Sequence, residues 1–458
     1  METRRSGYGW KTALLAGAVL RLLFFHFRPT VAGDALMYGD LAHNMVAHHV
    51  FGISGLVIQP TLIRLPGYPL FLAVCFVLFG GIKYGAVAAV QIMVDLVSCA
   101  MLGILAERLA GKRAGLTALW LAALCPFTAN YSVAVMAETL SVFCVVLVLV
   151  ALERWVALER AWGWVVVLGC ALSGAVLLRP DQGILAAAIM AVMLWVGIWG
   201  RAGSLGTRIA PAVVAVLIVV MPLSLWTARN WRVFHVVQPL APRYANDPGE
   251  AIPYGFQRWF RTWAIDYKAS ADIYWNYDDT RMRIEDVPVR AFDDAQQKEQ
   301  TSALFARYNR VTSATPEFDA AFAGIAAERV ASHPFRYYVV LPVAREVDMW
   351  LRPRFELTTL PVDWWNFRAH PWQSAEELAY ALLDAAYLAL TMVGLVRWRR
   401  RGWDGQWAVA YAMVGFVALR CALLLTLDNS EPRYTLECFP VVILLAAIAI
   451  ARNEKASD

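Results

Sequence analysis

The chain has 458 residues, of which 59% are hydrophobic and 17% are charged at neutral pH. Soluble globular proteins carry about 25% charged residues, so this composition excludes a soluble enzyme and indicates a polytopic membrane protein. The net charge of +5 is small for this length, and most lysines and arginines lie in short loops between apolar segments. We therefore expect no nucleic-acid partner.

Ten apolar segments approach the length of about 20 residues that a membrane-spanning helix needs. In chain order they are 10–27, 84–105, 114–127, 139–152, 162–178, 183–199, 209–227, 378–396, 407–427 and 434–450. The apolar stretch 70–80 has about 11 residues, so it is predicted to lie on the membrane surface or to re-enter the membrane. The predicted fold class is an all-α polytopic membrane protein.

The basic residues of the short loops indicate an orientation. With the N-terminus in the cytoplasm, every predicted cytoplasmic loop is basic, as the positive-inside rule requires. The residues concerned are Arg4, Arg5, Lys11, Arg108, Lys112, Arg113, Arg154, Arg160, Arg201, Arg208, Arg397, Arg399, Arg400, Arg401, Arg452 and Lys455. Both termini are therefore expected in the cytoplasm.

Three domains follow from this topology. Residues 1–227 form a transmembrane module that includes a first outer loop, 28–83; residues 228–374 form an extracytoplasmic loop domain; and residues 375–458 form the last transmembrane helices. The loop domain is rich in charge, proline and aromatics, and helical apolar spacing predicts amphipathic helices at 318–330 and 337–349. Its tryptophans are interpreted as an interfacial belt: Trp259, Trp263, Trp275, Trp350, Trp364 and Trp365.

Few charged residues occur in the predicted outer loops, and those few lie at helix ends. They are Asp34 and Arg64; Glu138; Arg179 and Asp181 in LLRPDQG; and Asp428, Glu431 and Arg433 in DNSEPRY. Charges at membrane depth are costly and usually pair or face a polar cavity. Arginines in such a cavity suit a phosphate, and a nearby carboxylate suits a general base. Interface charges, snorkelling arginines and helix caps are the alternative for each residue taken singly.

Asp34 begins a segment with helical spacing, directly after Gly33. One interpretation makes it the N-cap of a surface helix. A carboxylate beside apolar surface is equally suited to accept a proton from a hydroxyl group. Asp40 lies on another part of this helix and is interpreted as a solvated or structural acid.

Metal and cofactor sites receive little support from the sequence. The histidines of the first outer loop, His43, His48 and His49, are too loosely spaced to predict a metal site. The seven cysteines occur singly and are interpreted as small buried hydrophobic residues. We expect no cofactor, and a divalent cation is the alternative left open.

Several segments resemble the polyprenyl-phosphate-sugar glycosyltransferases of the GT-C superfamily. They are GDALMYGDLA and PTLIRLPGYP in the first outer loop, AETL at the start of the fourth span, LLRPDQG, TARNWRVF and EPRY. The likeness is to the bacterial branch related to protein O-mannosyltransferases and to the lipid A aminoarabinose transferase. It touches most of the membrane portion and is weak over 245–327.

The resemblance implies a GT-C-like bundle of about ten transmembrane helices, with surface helices in the first outer loop and a small mixed outer-face domain. It implies an inverting transferase that moves a hexosyl or pentosyl group from a polyprenyl-phosphate donor to a hydroxyl of a glycan, lipid or protein. The implied partners also include membrane lipid. The implied residues are Asp34 as the catalytic base, Arg64, Arg179 and Arg433 at the donor phosphate, and Tyr38, Glu138, Asp181 and Glu431 as site-organising residues.

The sequence departs from the family at one position. Ala35 follows Asp34, where many relatives carry a second acid, and this argues against a DxD-type or DE-type metal site. The implied location is a bacterial cytoplasmic membrane with the active site outside, although an endoplasmic reticulum membrane would give the same charge pattern. A polysaccharide polymerase or ligase and a lipid-linked sugar transporter remain as alternatives; a transporter is expected to show mid-membrane polar residues and internal repeats.

Overall fold

A computed structural model describes residues 2–27, 31, 33–158, 161–199, 204–358 and 360–451, with the side chains of 2–7 left outside the description. Six of the predicted cytoplasmic cations therefore have no described side chain: Arg4, Arg5, Arg160, Arg201, Arg452 and Lys455.

Helices dominate the described residues. The α-helices are α1 (Glu2–His26), α2 (Asp34–His48), α3 (Gly67–Phe79), α4 (Tyr84–Ala110), α5 (Lys112–Ala123), α6 (Pro126–Tyr131), α7 (Glu138–Ala157), α8 (Trp162–Leu178), α9 (Gly183–Ile198), α10 (Leu205–Phe234), α11 (Tyr254–Arg261), α12 (Tyr267–Ala269), α13 (Ala295–Tyr308), α14 (Pro316–Ser332), α15 (Leu341–Leu351), α16 (Pro371–Arg400), α17 (Trp407–Leu424) and α18 (Phe439–Ile450). Short 3-10 or π turns occur at Pro180–Gln182, Ser270–Tyr274, Ile284–Asp286, Val289–Ala291, Arg336–Val340, Gly402–Gly405 and Pro432–Cys438. Two short strands, β1 (Gly52–Ile53) and β2 (Gln59–Pro60), pair antiparallel in the first outer loop.

Eight helical segments of the described chain are long and apolar enough to cross a membrane. They are Tyr8–His26, Tyr84–Ala110, Glu138–Ala157, Pro180–Ile198, Leu205–Phe234, Pro371–Arg400, Trp407–Leu424 and Pro432–Ile450. Each overlaps one of the ten predicted spans. The all-α polytopic class is confirmed, and the count of ten stays a prediction.

The two remaining predicted spans, 162–178 and 114–127, fall on shorter helices: one helix for the first and two for the second. Helix α8 is apolar but has 17 residues. The predicted span 114–127 is not one helix, because α5 ends at Ala123 and α6 begins at Pro126. Proline lacks the backbone N–H and clashes with the preceding turn, so a helix is interrupted there.

The chain forms two compact units. The first contains Met1–Glu250, Ala386–Leu419 and Leu436–Asp458, and the second contains Ala251–Ala385 and Arg420–Thr435. The domain boundaries predicted from the sequence stay predictions. The described residues of the second unit form helices and irregular segments without a strand, and α14 and α15 cover most of the two amphipathic stretches.

A buried ion pair joins three helices of the first unit. Nε of Arg21 in α1 donates to Oδ2 of Asp95 in α4 at 2.6 Å, and Nη1 donates to the carbonyl oxygens of Gly17 and Ala123 at 2.9 and 2.8 Å. Both charged side chains are almost completely buried. A buried arginine is tolerated when its charge is paired and its N–H groups are satisfied, which is the case here.

The second unit has an aromatic core. Trp259 and Trp263 are 0% and 1% exposed, so their predicted place in an interfacial belt is wrong. Helix α11 turns its aromatic face onto α14, where Phe256 packs against Phe322 with ring centroids 5.2 Å apart. Burying large aromatic surface is the main stabilising contribution available to so small a unit. Trp275 keeps 43% exposure.

In its first turns, helix α16 buries polar side chains and exposes apolar ones, an arrangement called here its inverted face. The side chains that it buries are those of Ser374, Glu377 and Asp384, all 0% exposed, whereas Leu382 is 63% exposed. Oδ1 of Asp384 lies 3.4 Å from Nε of Arg354. Burial of Glu377 and Asp384 on the protein side of an apolar helix is the expected arrangement in a membrane.

Candidate active site

Asp34 is the first residue of α2. Gly33 occupies the N-cap with φ 54° and ψ −127°, a conformation that residues with a Cβ rarely adopt. The alternative in which Asp34 caps this helix is therefore wrong. Its Oδ1 accepts a hydrogen bond from Nη2 of Arg64 at 2.9 Å, and both side chains keep about a quarter of their surface exposed. A carboxylate in the first turn is also favoured by the helix dipole.

The loop between α2 and α3 is fastened at two places. Asp40 accepts hydrogen bonds from N and Oγ of Ser54 at 2.7 and 2.6 Å, consistent with a structural acid. The guanidinium of Arg229 donates to the carbonyl oxygens that flank the strand pair, those of Phe51 and Thr61, at 2.8 and 2.7 Å. Hydrogen bonds from a charged donor are stronger than those from a neutral one. They therefore hold this loop in a defined position just before Arg64, the predicted phosphate ligand.

Arg179 contacts three carboxylates. Its Nη1 lies 2.9 Å from Oε1 of Glu138 and 3.1 Å from Oε1 of Glu437, and its Nη2 lies 3.2 Å from Oδ2 of Asp181. The side chain of Glu138 is 4% exposed and that of Glu437 is 0% exposed. The sequence analysis missed Glu437, although an acid inside the predicted span 434–450 was a usable signal.

Tyr38 is influenced electrostatically by both of these groups. It stands one turn after Asp34 on the same face of α2, which places both side chains on one side of the helix. Burial raises the pKa of the Tyr38 hydroxyl above its ordinary value; the charges of Arg64 and Arg179 lower it, and those of Asp34 and Glu138 raise it. The two ion-pair groups are therefore both within electrostatic range of one phenol.

The ring of Tyr38 packs against a buried hydrogen-bond network. Its ring packs edge-on against Tyr68, with centroids 5.0 Å apart. The hydroxyl of Tyr68 donates to Oε1 of Gln91 at 2.7 Å, and Nε2 of Gln91 donates to the carbonyl oxygens of Ser132 and Ala134 at 3.3 and 2.6 Å. The network runs from α2 through α3 and α4 to the turn that leads into α7. Sequence analysis gave no indication of it.

Carboxyl groups outnumber guanidinium groups in this cluster. Its acids are Asp34, Glu138, Asp181 and Glu437, and its arginines are Arg64 and Arg179. Among the residues that the structure describes, no three His, Cys, Asp or Glu side chains come together as a metal site would require. Whether a divalent cation takes part stays an open prediction.

Glu431 and Arg433, the last two predicted site residues, belong to the second unit. Nε of Arg433 pairs with Oε2 of Glu431, whose Oε1 accepts a hydrogen bond from the hydroxyl of Tyr434 at 2.9 Å. In the same segment Asp428 lies 3.2 Å from Nε of Arg261. The DNSEPRY segment is thus held by one ion pair within it and one to α11.

Part of the chain matches a known family. Residues 60–226 match the family described as dolichyl-phosphate-mannose-protein mannosyltransferase. The matched region contains Arg64, Glu138, Arg179 and Asp181, whereas Asp34 lies ahead of it. No curated protein sequence matches the chain.

Among solved structures, the chain is similar to the oligosaccharyltransferase of Archaeoglobus fulgidus. For the form tethered to an acceptor peptide with the NVT sequon, the TM-score is 0.52 at 13% identity, covering 96% of this chain and 49% of that one. For the apo form the TM-score is 0.50 at 13% identity, covering 96% and 50%. The chain thus spans about half the length of this transferase.

A further similarity is to ArnT from Cupriavidus metallidurans bound to undecaprenyl phosphate, with 18% identity over 91% of this chain and 77% of that one, at a TM-score of 0.38. The family match confirms the resemblance found in the sequence, and the archaeal structure confirms a GT-C-like fold.

Proposed function

We propose that this chain is a membrane glycosyltransferase of the GT-C type, which transfers a sugar from a polyprenyl-phosphate donor to an acceptor hydroxyl. The family match over 60–226 supports the reaction class. The observation that carries the proposal is the Asp34–Arg64 pair, which shares the surroundings of Tyr38 with the acidic cluster on Arg179.

Asp34 is proposed as the general base. Its carboxylate is partly exposed and accepts a hydrogen bond from Arg64, so a donor phosphate that engages Arg64 competes with the carboxylate for the guanidinium. The acceptor oxygen then bonds to the anomeric carbon while the bond from that carbon to the phosphate oxygen breaks. The acceptor proton passes to Asp34, and polyprenyl phosphate leaves on the opposite face, which inverts the anomeric configuration.

Arg64 is proposed as the main donor-phosphate ligand, because a guanidinium stabilises the charge that develops on the leaving phosphate. Arg179 contacts three carboxylates, so in this proposal it first organises the site and reaches the phosphate only by exchange with one of them. Arg433 is proposed as a further phosphate ligand.

The site-organising roles go to Tyr38, Glu138, Asp181 and Glu431. The acceptor is a glycan, lipid or protein hydroxyl, and the transferred group is a hexosyl or pentosyl residue. The proposed place is the outer face of a bacterial cytoplasmic membrane with both termini inside, as the basic loops indicate.

The test is sugar transfer by purified full-length protein in detergent, using a panel of radiolabelled polyprenyl-phosphate sugars. We expect Asp34→Asn, which keeps the shape and loses the base, to reduce transfer by about 100-fold or more. Asp40→Asn, on the same helix but bonded to Ser54, is the matched control and should keep most of the activity.

Three outcomes would count against the proposal. An active Asp34→Asn variant would remove Asp34 from the base role. Transfer of a preassembled glycan alone would favour the polymerase or ligase, and movement of the lipid-linked sugar across liposomes without release would favour the transporter.

A further inference from the structure

The most exposed side chains of helix α15 and of the π turn before it are apolar or aromatic. The segment 335–351, which contains both elements, is described without a gap. Its exposed residues, here called the outer stripe, are between 43% and 69% exposed: Phe335, Tyr338, Val339, Val340, Val343, Val347 and Leu351. Within α15 they recur every four residues, so their side chains lie on one side of the helix.

The charged side chains of α15 are directed into the second unit instead. Nη1 of Arg345 donates to the carbonyl oxygens of Ala264 and Arg261 at 3.0 and 3.3 Å, and Arg345 is 1% exposed. Oδ2 of Asp348 accepts a hydrogen bond from Oγ of Ser430 at 2.7 Å. All of these residues belong to the second unit. Helix α15 therefore turns its charges inward and its aliphatic side chains outward, which is the reverse of a helix on a water-exposed surface.

Helices α13 and α14 of the same unit show the ordinary arrangement. Helix α14 buries Phe318, Phe322 and Ile325. Its exposed positions carry small, polar or acidic residues: Pro316, Glu317, Ala320, Gly324, Ala327, Glu328, Ala331 and Ser332. The exposed positions of α13 include Lys298 and Glu299. Water suits the outer faces of these two helices, whereas it does not suit the outer stripe of α15.

Helix α15 is attached to a helix that enters the membrane. Glu346 and Trp350 lie within hydrogen-bonding range of the thiol of Cys421, which is in the last turn of α17. Helices α16 and α17 are both long and apolar enough to span a membrane. The first turns of α16 also expose large aliphatic residues, Leu378 and Leu382, on the outside of their inverted face. Because lipid explains this arrangement in α16, the same solvent explains it in α15.

The geometry points to a membrane-contact surface on the second unit, in which α15 lies parallel to the bilayer with the outer stripe among the acyl chains of one leaflet. A crossing helix needs about 20 mostly apolar residues, whereas 335–351 is shorter and carries charged residues within α15. An amphipathic helix in the interface buries its apolar face about 5–10 Å deep. Phe335 and Tyr338, at the start of the stripe, are residue types that suit this depth.

The composition of the outer stripe favours lipid over a second copy of the chain. Protein interfaces are centred on tryptophan, tyrosine and arginine, and valine is under-represented among their energetically important residues. The centre of the outer stripe consists of Val339, Val340, Val343 and Val347. Since residues 228–374 are predicted to be extracytoplasmic, the leaflet is the outer one. The inference does not depend on the proposed reaction.

The test is photolabelling of the full-length protein in nanodiscs of phosphatidylcholine that carries a diazirine in its acyl chain, with adducts mapped by mass spectrometry. We expect adducts on 343–351 at a yield similar to that on 378–383 of α16, and at least about tenfold above that on α14. No sugar transfer is measured, so the result is separate from the test of the proposed function.

Two matched variants place one charge at an exposed helix position. Val347→Asp should reduce the adducts on 335–351 by about fivefold or more, because a carboxylate disfavours the acyl region. Ala327→Asp, in α14, should leave the labelling pattern unchanged. A thermal melt in detergent checks that both variants are folded.

Three results would overturn the proposal. Labelling of α16 without labelling of 335–351 would place α15 in water. Cross-links between two copies through the outer stripe, with the mass of a dimer, would assign the surface to a second copy. Labelling of the stripe by a diazirine-bearing polyprenyl phosphate, in nanodiscs where phosphatidylcholine leaves it unlabelled, would assign it to an isoprenoid chain.

Discussion

Arg21 and Asp95 form an ion pair inside the part of the chain that crosses the membrane, with Nε of Arg21 2.6 Å from Oδ2 of Asp95. The remaining N–H groups of Arg21 are directed at the carbonyls of α1 and α5 and at the thiol of Cys99. One arginine thus ties the first helix to two others through bonds that neither water nor lipid replaces.

Breaking this pair should be costly. Arg21→Met leaves the Asp95 carboxylate buried without its cation, and we expect a loss of about 3–5 kcal/mol in the free energy of unfolding. The double variant Arg21→Met/Asp95→Leu removes both charges and should recover most of that loss. Thermal unfolding of purified protein in detergent measures both, and a single variant as stable as the double one would contradict the argument.

Gly33 should be needed for its backbone conformation. A Cβ added at position 33 has no neighbouring atom within 4 Å. However, the backbone φ of 54° at this position is unfavourable for a residue with a Cβ, at a cost of about 1–3 kcal/mol. We expect Gly33→Ala to reduce sugar transfer, because the strain is relieved by moving Asp34. Gly163→Ala is the control: it also has open space around the new Cβ but lies in α8 without positive φ, and should be neutral.

Arg179 should not be replaceable by lysine. A lysine presents one ammonium group and cannot hold the three carboxylates in the planar, branched geometry that the guanidinium provides. We expect Arg179→Lys to lower transfer at least about tenfold and to lower the melting temperature. The exposed pair Arg307–Glu317 supplies the comparison, since Arg307→Lys should change neither measurement appreciably.

The stability of the second unit should depend on Asp348. Burial raises the pKa of this carboxyl group to about 6, opposed by Arg352 and by the hydrogen bond from Ser430. Between the ordinary pKa and 6 the folded state keeps a proton that the unfolded state has lost, so stability falls as the pH rises through this window. The Asp348→Asn variant has no carboxyl group to titrate, so its stability does not fall in this window. The difference in melting temperature between the variant and the wild type should therefore increase between pH 4 and 7, by the equivalent of at most about 3 kcal/mol in the free energy of unfolding. A constant difference over that range would contradict the assignment.

Hydropathy located most of the membrane portion because length and apolarity alone decide whether a helix spans a membrane. It failed over 114–127, where Pro126 interrupts the helix although the apolar run continues. It also misassigned Trp259 and Trp263, since a tryptophan in a core and one in an interfacial belt have the same local sequence signature. The distinction depends on α14, which lies about 60 residues further along the chain.

The candidate site was predictable where its charges lie in polar loops, as Asp34 and Arg64 do. Glu437 was hidden because it lies in an apolar segment, although an ionisable residue in such a segment is a signal in itself. The same reasoning, applied to Arg21 and Asp95, would have indicated the buried pair. The contacts through Tyr68 and Gln91 join distant helices, and no local pattern specifies them.

The inverted face of α16 has a consequence for membrane insertion of the chain. A free acid near the middle of an inserting helix costs about 2.5–3.5 kcal/mol, and this helix carries Asp384 near its middle, on a face that is buried in the folded protein. Arg354, which lies beside Asp384, precedes α16 in the chain and is therefore synthesised before it. The insertion of α16 should therefore depend on a residue made before it, and loss of Arg354 should appear first as poor membrane integration of the nascent chain.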